Sequence, residues 1–215
     1  MPDKFHTQIQ RALADEQLQI ALDLNARNRQ QAWINAHTTL PEPWQFLRQK
    51  GHRVRAEIIT DLDQLLAQFA ENAQQNGLIV HTAEDANQAT SIVRDLANRH
   101  NAKLVAKSKS MLSEEIGLNR ALETDGLQVV ETDLGEYIVQ LRNEPPAHII
   151  TPSVHLRRSD VGQTFHERLN VPYSEDIPTI TNYARSALRE VFLQTDMGIS
   201  GVNFGIAEQG MLCIV

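Results

Sequence analysis

The chain's 215 residues, 41% of them hydrophobic, supply the core of one large or two small domains. Its single cysteine, Cys213, excludes an internal disulfide framework and any cysteine-ligated zinc or iron–sulfur site built from this chain alone. The formal charge of −7 is uneven: residues 1–60 hold eight Lys/Arg against six Asp/Glu, and residues 61–215 hold 12 against 21, a body of −9 that argues against a nucleic-acid partner.

In chain order, Phe5, Ile9, Ala12, Leu13, Ile20 and Leu24 recur at spacings that predict a long surface helix packed along one stripe. Its start, MPDKFHTQIQRALADEQ, carries no apolar signal-peptide core, and no stretch approaches 18 apolar residues. The expectation is a cytoplasmic protein with no membrane span. Pro41-Glu42-Pro43 breaks the chain, and Val54, Ile58, Leu62, Leu65, Leu66 and Phe69 then predict a helix over 52–75, closed near Gly77. Residues 1–76 therefore read as a helical N-terminal extension, suited to clasping a second copy in a homo-oligomer.

From Gly77 short apolar runs alternate with helical patterns. Strands are expected at 78–80, 103–106, 127–130 and 148–150, with helices over 84–99, 111–122, 154–168 and 178–194 and closing apolar runs at 202–207 and 211–215. That alternation predicts an α/β domain over 77–215, a mostly parallel sheet flanked by helices. Thr82 or Glu84–Asp85, and Ser110 or Ser113, are the expected helix caps.

Four segments carry polar groups where chemistry would sit. Lys107-Ser108-Lys109-Ser110-Met111-Leu112-Ser113-Glu114-Glu115 follows a strand, at the end where open α/β sheets bind ligands. Its lysines and serines suit a carboxylate or phosphate, and they equally suit a solvated loop with a serine cap; no glycines precede the lysine, so it is not a GxxxxGK[ST] loop. Glu131, Asp133 and Glu136 form a second acidic group after a strand, able to bind a cation, to act as an acid/base pair, or simply to solvate the surface. His148 and His155 are seven residues apart and lack the helical spacing of a zinc pair; His148 reads as a buried, hydrogen-bonded histidine, whereas His155, before Arg157 and Arg158, is able to face an anion. Finally, Gly198, Gly201, Gly205 and Gly210 cluster with Asp196, Asn203 and Glu208, in tight turns or close to a ligand. Cys213, in Met211-Leu212-Cys213-Ile214-Val215, reads as a buried, unreactive thiol.

The stretches KSKSMLSEEIGLNRALE, VVETDLGEYIVQL, AHIITPSVH and TDMGISGVNFGIAEQGMLCIV, in this order, resemble the lactate utilization protein B family and its LUD domain. The resemblance implies a fold like that of sugar-phosphate isomerases and coenzyme A transferases. It also implies a cytoplasmic subunit of a complex that oxidises L-lactate to pyruvate, with other lactate utilization subunits as partners. Family members carry 4Fe-4S clusters on a C-terminal ferredoxin-like region; those cysteine runs are not in this sequence, which the resemblance makes a shortened version unsuited to activity alone. Lys107, Ser108, Lys109 and His155 are then candidate contacts to lactate's carboxylate, with Gly198, Gly201 and Asn203 shaping the floor. The alternative is a stand-alone enzyme of the isomerase/transferase-like fold acting on an anionic substrate, with Glu131, Asp133, Glu136, Asp196 or Glu208 as base or nucleophile.

Overall fold

The computed structural model describes residues 4–215, and among them ten helices and five strands. The chain divides into two compact units.

One unit takes the residues up to Thr38 together with Glu131–Gln194. It opens with α1 (Lys4–Ala14) and α2 (Glu16–Thr38). The single helix expected from the apolar spacing is broken at Asp15, whose Oδ1 accepts from the Leu18 N–H at 3.0 Å and caps α2. The unit continues through α8 (Leu134–Arg142), α9 (Arg158–Leu169) and α10 (Ile177–Gln194). Ile138, Phe165, Ile180 and Ala184 from these three helices form its core, with the Tyr137 and Phe165 rings 6.4 Å apart.

The other unit comprises Thr39–Val130 and Thr195–Val215. It holds α3 (Trp44–Thr60), α4 (Leu62–Gln75), α5 (Ala86–Arg99), β1 (Leu104–Lys107), α6 (Met111–Glu115), α7 (Leu118–Thr124) and β2 (Gln128–Glu131), whose last residue falls across the division. β3 (Met197–Ile199), β4 (Phe204–Ile206) and β5 (Met211–Cys213) follow. The parallel sheet has the order β2-β1-β3, with Val105, Ala106 and Lys107 in register with Met197, Gly198 and Ile199, while β4 and β5 form a separate antiparallel hairpin. Its core gathers Ala97, Ala102, Val105, Leu118, Leu122, Leu127 and Val129 between sheet and helices. Fully burying a side chain such as Val105 or Leu122 is worth about 1.5–3 kcal/mol.

The α/β class holds, with corrections in detail. The helix expected over 52–75 is two, α3 and α4, parted at Asp61; the three-and-four apolar spacing runs through the break and conceals it. The helix over 111–122 is likewise two, because Gly117 adopts a left-handed conformation (φ +65°) between α6 and α7. Residues 78–80 and 148–150 are not strands: Ile79 is 81% exposed, and apolar runs without a paired neighbour do not join a sheet. His148 is exposed, its Nδ1 accepting from the Ile150 and Thr151 N–H groups of a local turn, and the Cys213 thiol is only half-buried.

Candidate functional site

The ladder between β1 and β3 ends where the polar segment begins. After Lys107 the Ser108 N–H donates to the Ile199 carbonyl at 2.8 Å, and the Ser108 hydroxyl then donates to the Ser200 hydroxyl at 2.9 Å. Gly201 follows at close approach: a Cβ there would stand 2.9 Å from the Lys109 carbonyl oxygen and 3.4 Å from the Ser110 Cβ. A side chain at position 201 would push these loops apart. Thus Lys107, Ser108, Lys109, Ser200 and Gly201 share one edge, the carboxyl end of the β1–β3 pair.

The two lysines of this edge differ. Lys107 is wholly buried, and its Nζ donates to the Ser113 hydroxyl at 3.1 Å. Ser113 in turn donates to the Ser110 carbonyl at 2.7 Å, while the Ser110 Oγ accepts from the Ser113 N–H at 3.3 Å and caps α6. Burying an ammonium is costly unless acceptors surround it, and this serine relay is one of them. Lys109 is half-buried at the same edge. Ser113 and Ser200 hold this geometry. A serine three residues after a cap serine is a signal for the first, whereas Ser200 becomes visible only through the strand register.

Asp196 lies at the opposite end of the same strands. Its Oδ2 accepts from the Lys103 and Leu104 N–H groups at 2.8 and 2.9 Å, and these backbone donors hold its carboxyl below the usual carboxylate range. Neighbouring Thr195 accepts from the Ala106 N–H at 3.0 Å. Gly198 sits mid-ladder opposite Ala106, with open space for at least 4 Å around the point where a Cβ would stand. Asn203 closes the hairpin: its N–H donates to the Cys213 carbonyl and its Oδ1 accepts from the Val215 N–H at 2.9 Å. Glu208 is exposed in the β4–β5 turn, whose carbonyls at Ala207, Glu208 and Gln209 accept from the side chains of Asn72 and Asn76 in α4.

The remaining candidates belong to the other unit. Asp133 caps α8, its Oδ1 accepting from the Gly135 and Glu136 N–H groups at 3.1 and 3.3 Å. Glu131 and Glu136 are buried, at 5% and 4% exposure, and the Glu131 N–H donates to Gln140 Oε1 at 3.0 Å. His155 Nε2 lies 3.1 Å from Glu144 Oε2, while Arg142 donates to Glu144 Oε1 at 2.7 Å and to the Thr164 hydroxyl at 3.0 Å. The Arg142 guanidinium, and after it His155, holds the Glu144 carboxyl below its ordinary range. Glu144 and Arg142, on which no motif drew attention, thus anchor His155.

A 4Fe-4S cluster needs four thiolate ligands, and Cys213 is one half-buried thiol. Among the described residues no group of three or more His, Cys, Asp or Glu is placed to hold a metal ion. The residues of this chain do not fit such a cluster.

A short parallel sheet flanked by helices, with a lysine- and serine-bearing edge at its carboxyl end, defines an α/β domain. Residues 66–215 match the model of the LUD domain, and the chain belongs to the LUD domain family. It is 38% identical over 213 residues to the uncharacterized electron transport protein YkgF of Escherichia coli K12, covering 98% of this chain and 44% of that protein. It is 41% identical over 172 residues to the lactate utilization protein B of Bacillus cereus (strain B4264) and of Bacillus thuringiensis (strain Al Hakam), covering 80% of this chain and 36% of each relative. The chain therefore spans less than half the length of these curated relatives. No solved structure matches it significantly. Among the described residues no helix is long and apolar enough to cross a membrane.

Proposed function

We propose that this LUD domain serves lactate utilization by holding a small carboxylate, L-lactate, at the carboxyl edge of β1 and β3. The observation that carries the reading is the half-buried Lys109 next in sequence to the Ser108–Ser200 hydroxyl pair, on a loop that Gly201 lets approach closely. A carboxylate is met there by a cation, the pairing that gives charge-assisted hydrogen bonds, and by the Ser200 hydroxyl once it turns from the Gly201 carbonyl to which it otherwise donates at 3.0 Å. Buried Lys107 supports the same edge from behind, through Ser113. The names of the relatives point to the same metabolism and to electron transport.

In this reading the chain binds and orients lactate as one subunit of a cytoplasmic lactate-oxidising complex. The two electrons released on forming pyruvate pass to an acceptor held by the other lactate utilization subunits or by iron–sulfur clusters outside this chain. Calorimetric titration with L-lactate, a sugar phosphate and a coenzyme A thioester tests the reading. Heat from lactate alone supports it. Heat from either of the others with none from lactate replaces it with an isomerase- or transferase-like enzyme.

A further inference from the structure

Helix α3 raises a question of stability. It is 17 residues long, and among its residues, all of them described, none is buried. An isolated helix of that length is marginal in water, and tertiary packing normally supplies most of its stability. The apolar side chains Trp44, Phe46, Val54, Ile58 and Ile59 are all exposed, Ile59 by 71%. Its charges are one-sided: Arg48, Lys50, Arg53 and Arg55 against Glu57, a balance of +3. Spacings of three and four place Trp44, Arg48, His52, Arg55 and Ile59 on one stripe. Arg48, Gln49, His52, Arg53 and Ala56 line a groove of about 660 Å³.

The complement to this surface follows directly in the chain. After α3, residues 61–75 hold Asp61, Asp63 and Glu71 and no Lys or Arg, a balance of −3. One side of α4 is occupied, with Asn72 and Asn76 hydrogen-bonded to the β4–β5 turn and Ala73 fully buried. Asp63, Leu66 and Glu71 are exposed, Leu66 by 56%. Consecutive helices of opposite charge, both with exposed apolar residues, are self-complementary under two-fold symmetry.

We propose that a second copy of this chain docks here, the two α3–α4 segments pairing antiparallel so that α3 of each protomer lies along α4 of its partner. Arg48 and Arg55 then face the partner's acidic helix, and Trp44, Ile59, Leu62 and Leu66 form the apolar seam. Screening makes such a contact sensitive to salt.

Sedimentation velocity on the full chain, over a concentration series at low and high salt, tests the pairing. A monomer–dimer equilibrium shifted toward monomer by salt is expected. Two charge-reversed chains sharpen the test, one with Arg48→Glu and Arg55→Glu, the other with Asp63→Lys and Glu71→Lys. Each alone should dimerise more weakly by at least about tenfold. Mixed in equal amounts they should form a heterodimer, because both contacts then join opposite charges. A wild-type chain that stays monomeric, a dimer indifferent to salt, or a mixture no tighter than its parts would overturn the proposal. So would a monomer that pellets with phosphatidylserine vesicles, which assigns α3 to an anionic membrane surface. Should a reversed chain fail to fold by circular dichroism, the salt response of the wild-type dimer decides alone.

Discussion

At the scale of single residues, Lys107 on the sheet edge is wholly buried, and Ser113 accepts one of its hydrogen bonds. Ser113→Ala removes that acceptor from a buried ammonium. A loss of about 1.5–3 kcal/mol is expected in urea unfolding, the range for hydrogen bonds to charged groups. Asp196 gives a pH signature at the other end of the strands. Its carboxyl pKa is lowered by the Leu104 and Lys103 N–H groups, so its stabilisation is fully present above the ordinary carboxylate pKa and lost as pH falls through the lower folded value. Urea midpoints of the wild type and Asp196→Asn should differ most near neutral pH and converge toward acid. A gap that stayed constant with pH would show that the charge of this clasp contributes nothing. The sequence marked Asp196 as polar and close to glycines, but only the strand register reveals that it ties the start of β1 and stands apart from Lys107 and Lys109.

At the scale of elements, α4 is held on the β4–β5 turn by close backbone approach at Gly210. This residue has φ +61°, and a Cβ there would fall 2.3 Å from the Ala73 backbone nitrogen. Gly210→Ala should cost about 1–3 kcal/mol through strain and lost packing. Gly198→Ala, with open space and no positive φ, should stay within about 0.5 kcal/mol of the wild type. Thermal unfolding of the two variants side by side checks the contrast, and equal losses would contradict it. The glycine cluster was legible as a set of tight places, while its division of labour was not. Helix starts were more legible, because caps are local: Asp85 accepts from the Gln88 N–H for α5 and Ser110 caps α6, two of the residues named as caps from sequence. Breaks inside helices were less so, since the apolar rhythm runs unbroken across Asp61.

At the scale of the whole molecule, alternating patterns were sufficient to give an α/β chain with a parallel sheet. The sheet is smaller than the apolar runs imply, since 78–80 and 148–150 find no strand to pair with and 204–213 forms its own hairpin. Charge is also organised at this scale, with the cationic α3 followed at once by an acidic α4. The lysine edge at the carboxyl end of β1 was foreseeable from strand position alone; that Lys107 is wholly buried and Lys109 half-buried was not. The most direct test is therefore a titration of L-lactate into the wild-type chain and into Lys109→Ala, which keeps Lys107 and its partners in place. Saturable heat from the wild type, weakened by at least about tenfold in the variant, is the expected result for a lost charge-assisted contact. Equal affinity in both, or no binding to either, would contradict a lactate site at this edge.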